Sequence, residues 1–67
     1  MTTNKAALYR IEALMKKAKG LAEKGYEKTD GYVIKCLKTY HNQWFVTSHA
    51  TQRQDLITVL DRVWKDD

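Results

Sequence analysis

The chain has 67 residues, a formal net charge of +4, one cysteine and no proline. This length allows one domain over residues 1–67 and leaves room for only a small hydrophobic core. A lone cysteine excludes a disulfide framework, and the sequence has neither a signal-like run nor a segment that could cross a bilayer, so we expect a cytoplasmic protein.

The first predicted element is an amphipathic helix. Thr3 or Asn4 is a suitable N-cap, and Gly25 is the expected stop after a last helical residue near Lys24. Eight apolar residues fall in one arc of about 140° on a helical wheel. They are Ala7, Leu8, Ile11, Leu14, Met15, Ala18, Leu21 and Ala22.

One flank of this arc carries Arg10, Lys17 and Lys24, seven residues apart and with no acid among them. Such a stripe suits contacts with the phosphates of a nucleic acid. Ordinary solvation of a helix explains the same three cations, so both interpretations stay open.

The central element, residues 32–48, is predicted to be a β-hairpin. Residues 32–40 and 44–47 are rich in β-branched and aromatic side chains, and His41-Asn42 between them suits a two-residue turn. This turn would pair Thr39 with Trp44. Both faces of the hairpin would then carry apolar side chains, so either the helices divide the two faces between them or a second chain covers one.

The last predicted element is a second helix. Thr51 and Gln54 fit a capping box, and the helix should weaken near Trp64, ahead of a frayed end at residues 66–67. Asp55 falls on its polar side. The expected fold is therefore α+β, with two amphipathic helices packed on a hairpin in the order α-β-β-α, and with a homodimer that would extend the antiparallel sheet.

No stretch carries a motif for a particular chemistry. Cys36, His41 and His49 lack the paired spacing of a structural zinc site. Cys36 lies among apolar neighbours where a thiol is usually inert, and no glycine-rich phosphate loop occurs. We therefore expect a non-enzyme that needs no metal or cofactor.

Charge and aromatic residues suggest a binding function. Residues 1–28 contain seven basic and three acidic residues, so the positive excess belongs to this first segment of the chain. The first hypothesis is a module that binds DNA, RNA or a nucleoprotein complex. Its candidate contact residues are Arg10, Lys17, Lys24, Lys35, Lys38, Tyr40, His41, Gln43 and Trp44.

A hypothesis from another class remains open. The protein would be an inhibitor or adaptor of the kind that phages and mobile elements encode. It would dock through the hairpin edge on a protein partner, including one that itself handles nucleic acid. Neither hypothesis involves a membrane.

Overall fold

The computed structural model describes residues 5–65 and, within that range, contains three α-helices and no β-strand. The helices are α1 (Lys5–Glu23), α2 (Gly31–Trp44) and α3 (His49–Val63). The predictions of an α+β fold and of a hairpin at residues 32–48 are therefore wrong, and the chain is a small all-α domain. The predicted caps Thr3 and Asn4 and the predicted frayed end at residues 66–67 lie outside the described residues.

Helix α2 occupies most of the segment predicted to be the hairpin. Val33, Leu37 and His41 recur every four residues along it and are fully buried. The Asp30 side chain caps the helix by accepting a hydrogen bond from the Tyr32 backbone N–H at 2.9 Å. Burial of this stripe overrides the β propensity of residues 32–40, and the predicted pairing of Thr39 with Trp44 does not form.

Helix α1 confirms the prediction for the first element. It ends at Glu23, and Gly25 follows with a φ of 98°. The N–H of Gly25 donates to the Ala22 carbonyl at 3.0 Å, and that of Tyr26 donates to the Leu21 carbonyl at 3.3 Å. These two bonds form a Schellman motif, which satisfies carbonyls that the helix end would otherwise leave free.

The N-cap of helix α3 lies three residues before the predicted cap, Thr51. Ser48 is the N-cap, and its hydroxyl accepts a hydrogen bond from the Thr51 backbone N–H at 3.1 Å. The helix ends at Val63, close to the predicted end. The Trp64 indole N–H then donates to the Tyr26 carbonyl at 2.9 Å, which ties the end of α3 to the connection between α1 and α2.

The hydrophobic core contains side chains from all three helices, and α1 packs more extensively on α3 than on α2. Its buried members are Leu14, Ala18, Leu21, Val33, Leu37, Leu56 and Val59. No helix in the described part of the chain is long and apolar enough to span a bilayer.

Gly20 and Gly25 allow a matched test of the end of α1. Gly20 lies inside the helix with open space where a β-carbon would stand. We expect Gly20→Ala to raise the free energy of unfolding by about 0.5–1 kcal/mol, because alanine forms helices better. Gly25→Ala should lower it by about 1–2 kcal/mol, because a β-carbon disfavours positive φ. Urea unfolding followed by circular dichroism measures both, and changes of the same sign would contradict this helix boundary.

Candidate functional site

One polar side chain from each helix meets the others in the interior. The Arg10 Nε of α1 donates to Asp55 Oδ2 of α3 at 2.7 Å, and the His41 Nε2 of α2 lies 2.9 Å from the same oxygen. Because an ionised carboxylate only accepts hydrogen bonds, Nε2 carries a proton and donates it. We call Arg10, His41 and Asp55 the polar cluster. Asp55 was predicted on a solvated face, and the structure instead buries it.

The charges of the polar cluster balance when His41 is neutral. Arg10 and Asp55 then cancel, and the imidazole donates from Nε2 alone. The other ring nitrogen, Nδ1, is buried and has no hydrogen-bond partner in the described structure. A buried nitrogen without a hydrogen-bond partner is an unfavourable arrangement.

The geometry of the polar cluster suits helix packing rather than catalysis. His41 was predicted at an exposed turn tip, but its exposure is 0% and the Phe45 ring packs edge-on against it, with centroids 5.3 Å apart. A general base has to reach a proton on its substrate, whereas this imidazole has no exposed surface. A further polar link between α2 and α3 is the hydrogen bond from Gln52 Nε2 to Asn42 Oδ1 at 2.6 Å.

A second group of side chains, mostly polar and aromatic, lies at the surface between α1 and α2. Three shallow depressions there all have Tyr40 as a lining residue. We call this surface the α1–α2 face and define it by the aromatic, lysine and amide side chains around Tyr40. These are Tyr9, Lys16, Lys17, Tyr32, Lys35, Tyr40, Gln43 and Trp44.

Aromatic rings are unusually accessible on the α1–α2 face. Tyr9, Tyr32 and Trp44 are 67%, 51% and 64% exposed. The rings of Tyr40 and Trp44 are tilted against each other with centroids 6.3 Å apart. The Lys17 ammonium lies 5.9 Å from the Tyr40 ring centroid, within the range of a cation–π contact. A cation and a pair of rings therefore lie next to one another on this surface.

The α1–α2 face is positively charged. It carries Lys16, Lys17 and Lys35, and Glu12 is the single acid among the residues that line the three depressions. A lysine-rich surface of this kind attracts anionic ligands, and the attraction decreases as salt is added.

Cys36 lies half-buried on α2 beside Tyr32. A side-chain hydrogen bond with Cys36, together with the charge of that thiol when ionised, raises the pKa of the Tyr32 hydroxyl, and Tyr26 adds to the effect. The phenol of Tyr32 is therefore neutral at physiological pH. Within residues 5–65, no group of three His, Cys, Asp or Glu side chains is placed to hold a metal ion.

The structure brings together five of the nine predicted contact residues on the α1–α2 face: Lys17, Lys35, Tyr40, Gln43 and Trp44. Arg10 and His41 instead belong to the polar cluster. Lys38 lies in a groove between α2 and α3 with His49 and Arg53, and Lys24 follows the end of α1.

Three residues of the α1–α2 face were missed by sequence reasoning, namely Tyr9, Lys16 and Tyr32. The signal for the first two was present, because Tyr9 and Lys16 are seven residues apart and share a side of the helix. The same spacing had selected Arg10 and Lys17. Tyr32 was assigned to a strand, so its position relative to α1 was not predictable.

Substitution of Asp55 tests the polar cluster. We expect Asp55→Asn to lower the free energy of unfolding by about 3 kcal/mol, because the change leaves Arg10 without its buried counter-charge. Asp61→Asn is the matched control. It breaks the exposed ion pair in which Lys28 lies 2.7 Å from Asp61, and it should cost less than about 1 kcal/mol. Urea unfolding measures both variants, and equal losses would show that the polar cluster contributes no more than a surface pair.

No protein-family model, curated protein or solved structure matches this chain. Function is therefore inferred from the contacts, exposures and charges of the described residues.

Proposed function

We propose that this protein is a non-catalytic module that binds nucleic acid, free or within a nucleoprotein complex, through the α1–α2 face. The observation that supports this proposal is the convergence of three lysines and three further aromatic rings around Tyr40. Lysine ammonium groups pair with phosphates, and aromatic rings provide flat surfaces for sugars or bases. The net charge of +4 adds a long-range attraction for polyanions.

This proposal differs from the hypothesis based on sequence in the residues that it uses. The binding surface is formed by two helices, with no hairpin. Arg10 and His41 are engaged in the interior, so they do not contribute contacts. Tyr9, Lys16 and Tyr32 take part instead, because the fold places them beside Tyr40.

A protein partner is the second candidate, and one observation favours it. Val46, in the connection between α2 and α3, is fully exposed and lines a depression together with Tyr9 and Trp44. Exposed tyrosine and tryptophan next to an aliphatic side chain resemble the centre of a protein–protein interface. An inhibitor or adaptor, or a second copy of this chain, would use this end of the α1–α2 face. Its affinity would change little with salt.

The salt dependence of binding separates these two candidates. If three lysines contact phosphates, raising the salt concentration from about 50 to 200 mM should weaken binding about 20- to 40-fold. Fluorescence anisotropy with a labelled oligonucleotide measures this change. Replacing Lys16, Lys17 and Lys35 by glutamine should also reduce the slope of log K against log salt by about two to three units.

The matched control removes the same charge elsewhere. Lys19→Gln, Arg62→Gln and Lys65→Gln replace exposed cations that line none of the three depressions. Combined, they should change the slope by less than about one unit, because distant charges are screened. Equal effects of the two triple variants would place the phosphate contacts outside the α1–α2 face.

A further inference from the structure

The α1–α2 face has exposed aromatic rings but few side chains that could recognise the base pairs of a duplex. Recognition in a major groove depends on arginine, asparagine or glutamine side chains that form paired hydrogen bonds with base edges. On this face Gln43 is the one side chain of that kind. In a duplex the faces of the bases are already stacked on each other, so exposed tyrosine and tryptophan rings would find no partner.

The exposed rings are available for stacking. Trp44 and Tyr9 keep about two-thirds of their surface accessible, although the core of this small domain is short of apolar material. Neither ring is needed to complete the core, whose buried members are aliphatic. Each ring can therefore cover the face of a base, which is the contact that proteins use to hold single strands irrespective of sequence.

Rings and cations follow one another along both helices. Tyr32 and Trp44 are twelve residues apart, or about 18 Å along α2, with Lys35 and Tyr40 between them. On α1, Tyr9 precedes Lys16 and Lys17 by about two turns. A strand lying between the helices would therefore meet both lysines and aromatic rings along its length.

We infer that the ligand of the α1–α2 face is a single-stranded nucleic acid with unpaired bases, an inference that rests on the function proposed above. Lys16, Lys17 and Lys35 contact phosphates. The rings of Trp44 and Tyr9 stack on bases, while the Lys17–Tyr40 contact fixes a cation beside a ring at the centre. Stacking does not depend on the 2′-hydroxyl, so RNA and DNA strands are both ligands.

Three oligonucleotides of equal length and label test this inference: a thymine single strand, the duplex that it forms with its complement, and a strand of abasic sites that keeps the phosphates and lacks the bases. We expect the thymine strand to bind at least about tenfold more tightly than the abasic strand, because stacking on even one ring contributes about that factor. The duplex should bind more weakly than the thymine strand. Anisotropy measures all three affinities at one salt concentration.

Variants at Trp44 connect the preference to the α1–α2 face. Trp44→Leu should weaken binding of the thymine strand about 5- to 150-fold and leave binding of the abasic strand unchanged. Trp44→Phe keeps a ring and should recover most of the loss. Ile57→Ala is the matched control, since it removes an exposed apolar side chain of α3 and should alter neither affinity. Circular dichroism of each variant checks that the helices remain folded.

The results separate failure of this inference from failure of the proposed function. If the abasic strand or the duplex binds as tightly as the thymine strand, the preference for unpaired bases is wrong and nucleic-acid binding stands. If Trp44→Leu weakens all three ligands equally, the assignment of base stacking to Trp44 is wrong and nucleic-acid binding stands. If none of the three ligands binds, the proposed function is itself wrong.

Discussion

The contact of the Asp55 carboxylate with Arg10 and His41 is the constraint on which the bundle depends. Each helix contributes one member, so no pair of helices completes the arrangement by itself. A buried charge without its partner costs several kcal/mol, which is a large fraction of the stability of a small domain. Helix α3 must therefore dock in the register that brings Asp55 to Arg10. The apolar core tolerates other registers more easily, because hydrophobic contacts are not directional.

The same constraint sets the relative positions of α1 and α2, and with them the α1–α2 face. Arg10 and Lys17 lie two turns apart on one side of α1, yet they have different surroundings. Arg10 is drawn inward by Asp55, whereas Lys17 remains exposed over the Tyr40 ring. The polar cluster thus orients the surface without taking part in it. If α1 rotated about its axis, it would lose both the buried Arg10–Asp55 ion pair and the exposed Lys17–Tyr40 cation–π contact.

The C-terminal ends of α1 and α3 were predictable because local signals determine them. Gly25 needs no tertiary contact to favour positive φ, and the apolar arc of α1 is strongly periodic. Residues 32–48 were not predictable in this way. Their β-branched and aromatic content favours strands, and the helical stripe of Val33, Leu37 and His41 includes a histidine that a hydrophobic pattern does not count. Packing against α1 and α3 decides the outcome.

The candidate site was predictable in its chemistry and only partly in its geometry. Lysines interleaved with tyrosine and tryptophan were visible in the sequence, and Lys35, Tyr40 and Trp44 do lie together. Burial of Arg10 and His41 was not visible, because it requires Asp55 from a segment 14 or 45 residues away. Ionic partners that are far apart in the sequence leave no periodic pattern in it. The sequence alone therefore does not distinguish a charged residue that is buried from one that is exposed.

The order of the polar cluster along the chain has a consequence for folding during synthesis. Arg10 leaves the ribosome first, His41 follows, and Asp55 comes last. Until the carboxylate arrives, the two earlier partners stay hydrated, and the extensive packing of α1 on α3 cannot form. Helices α1 and α2 therefore cannot complete the bundle before α3 has emerged, because α3 supplies the carboxylate that Arg10 and His41 both contact.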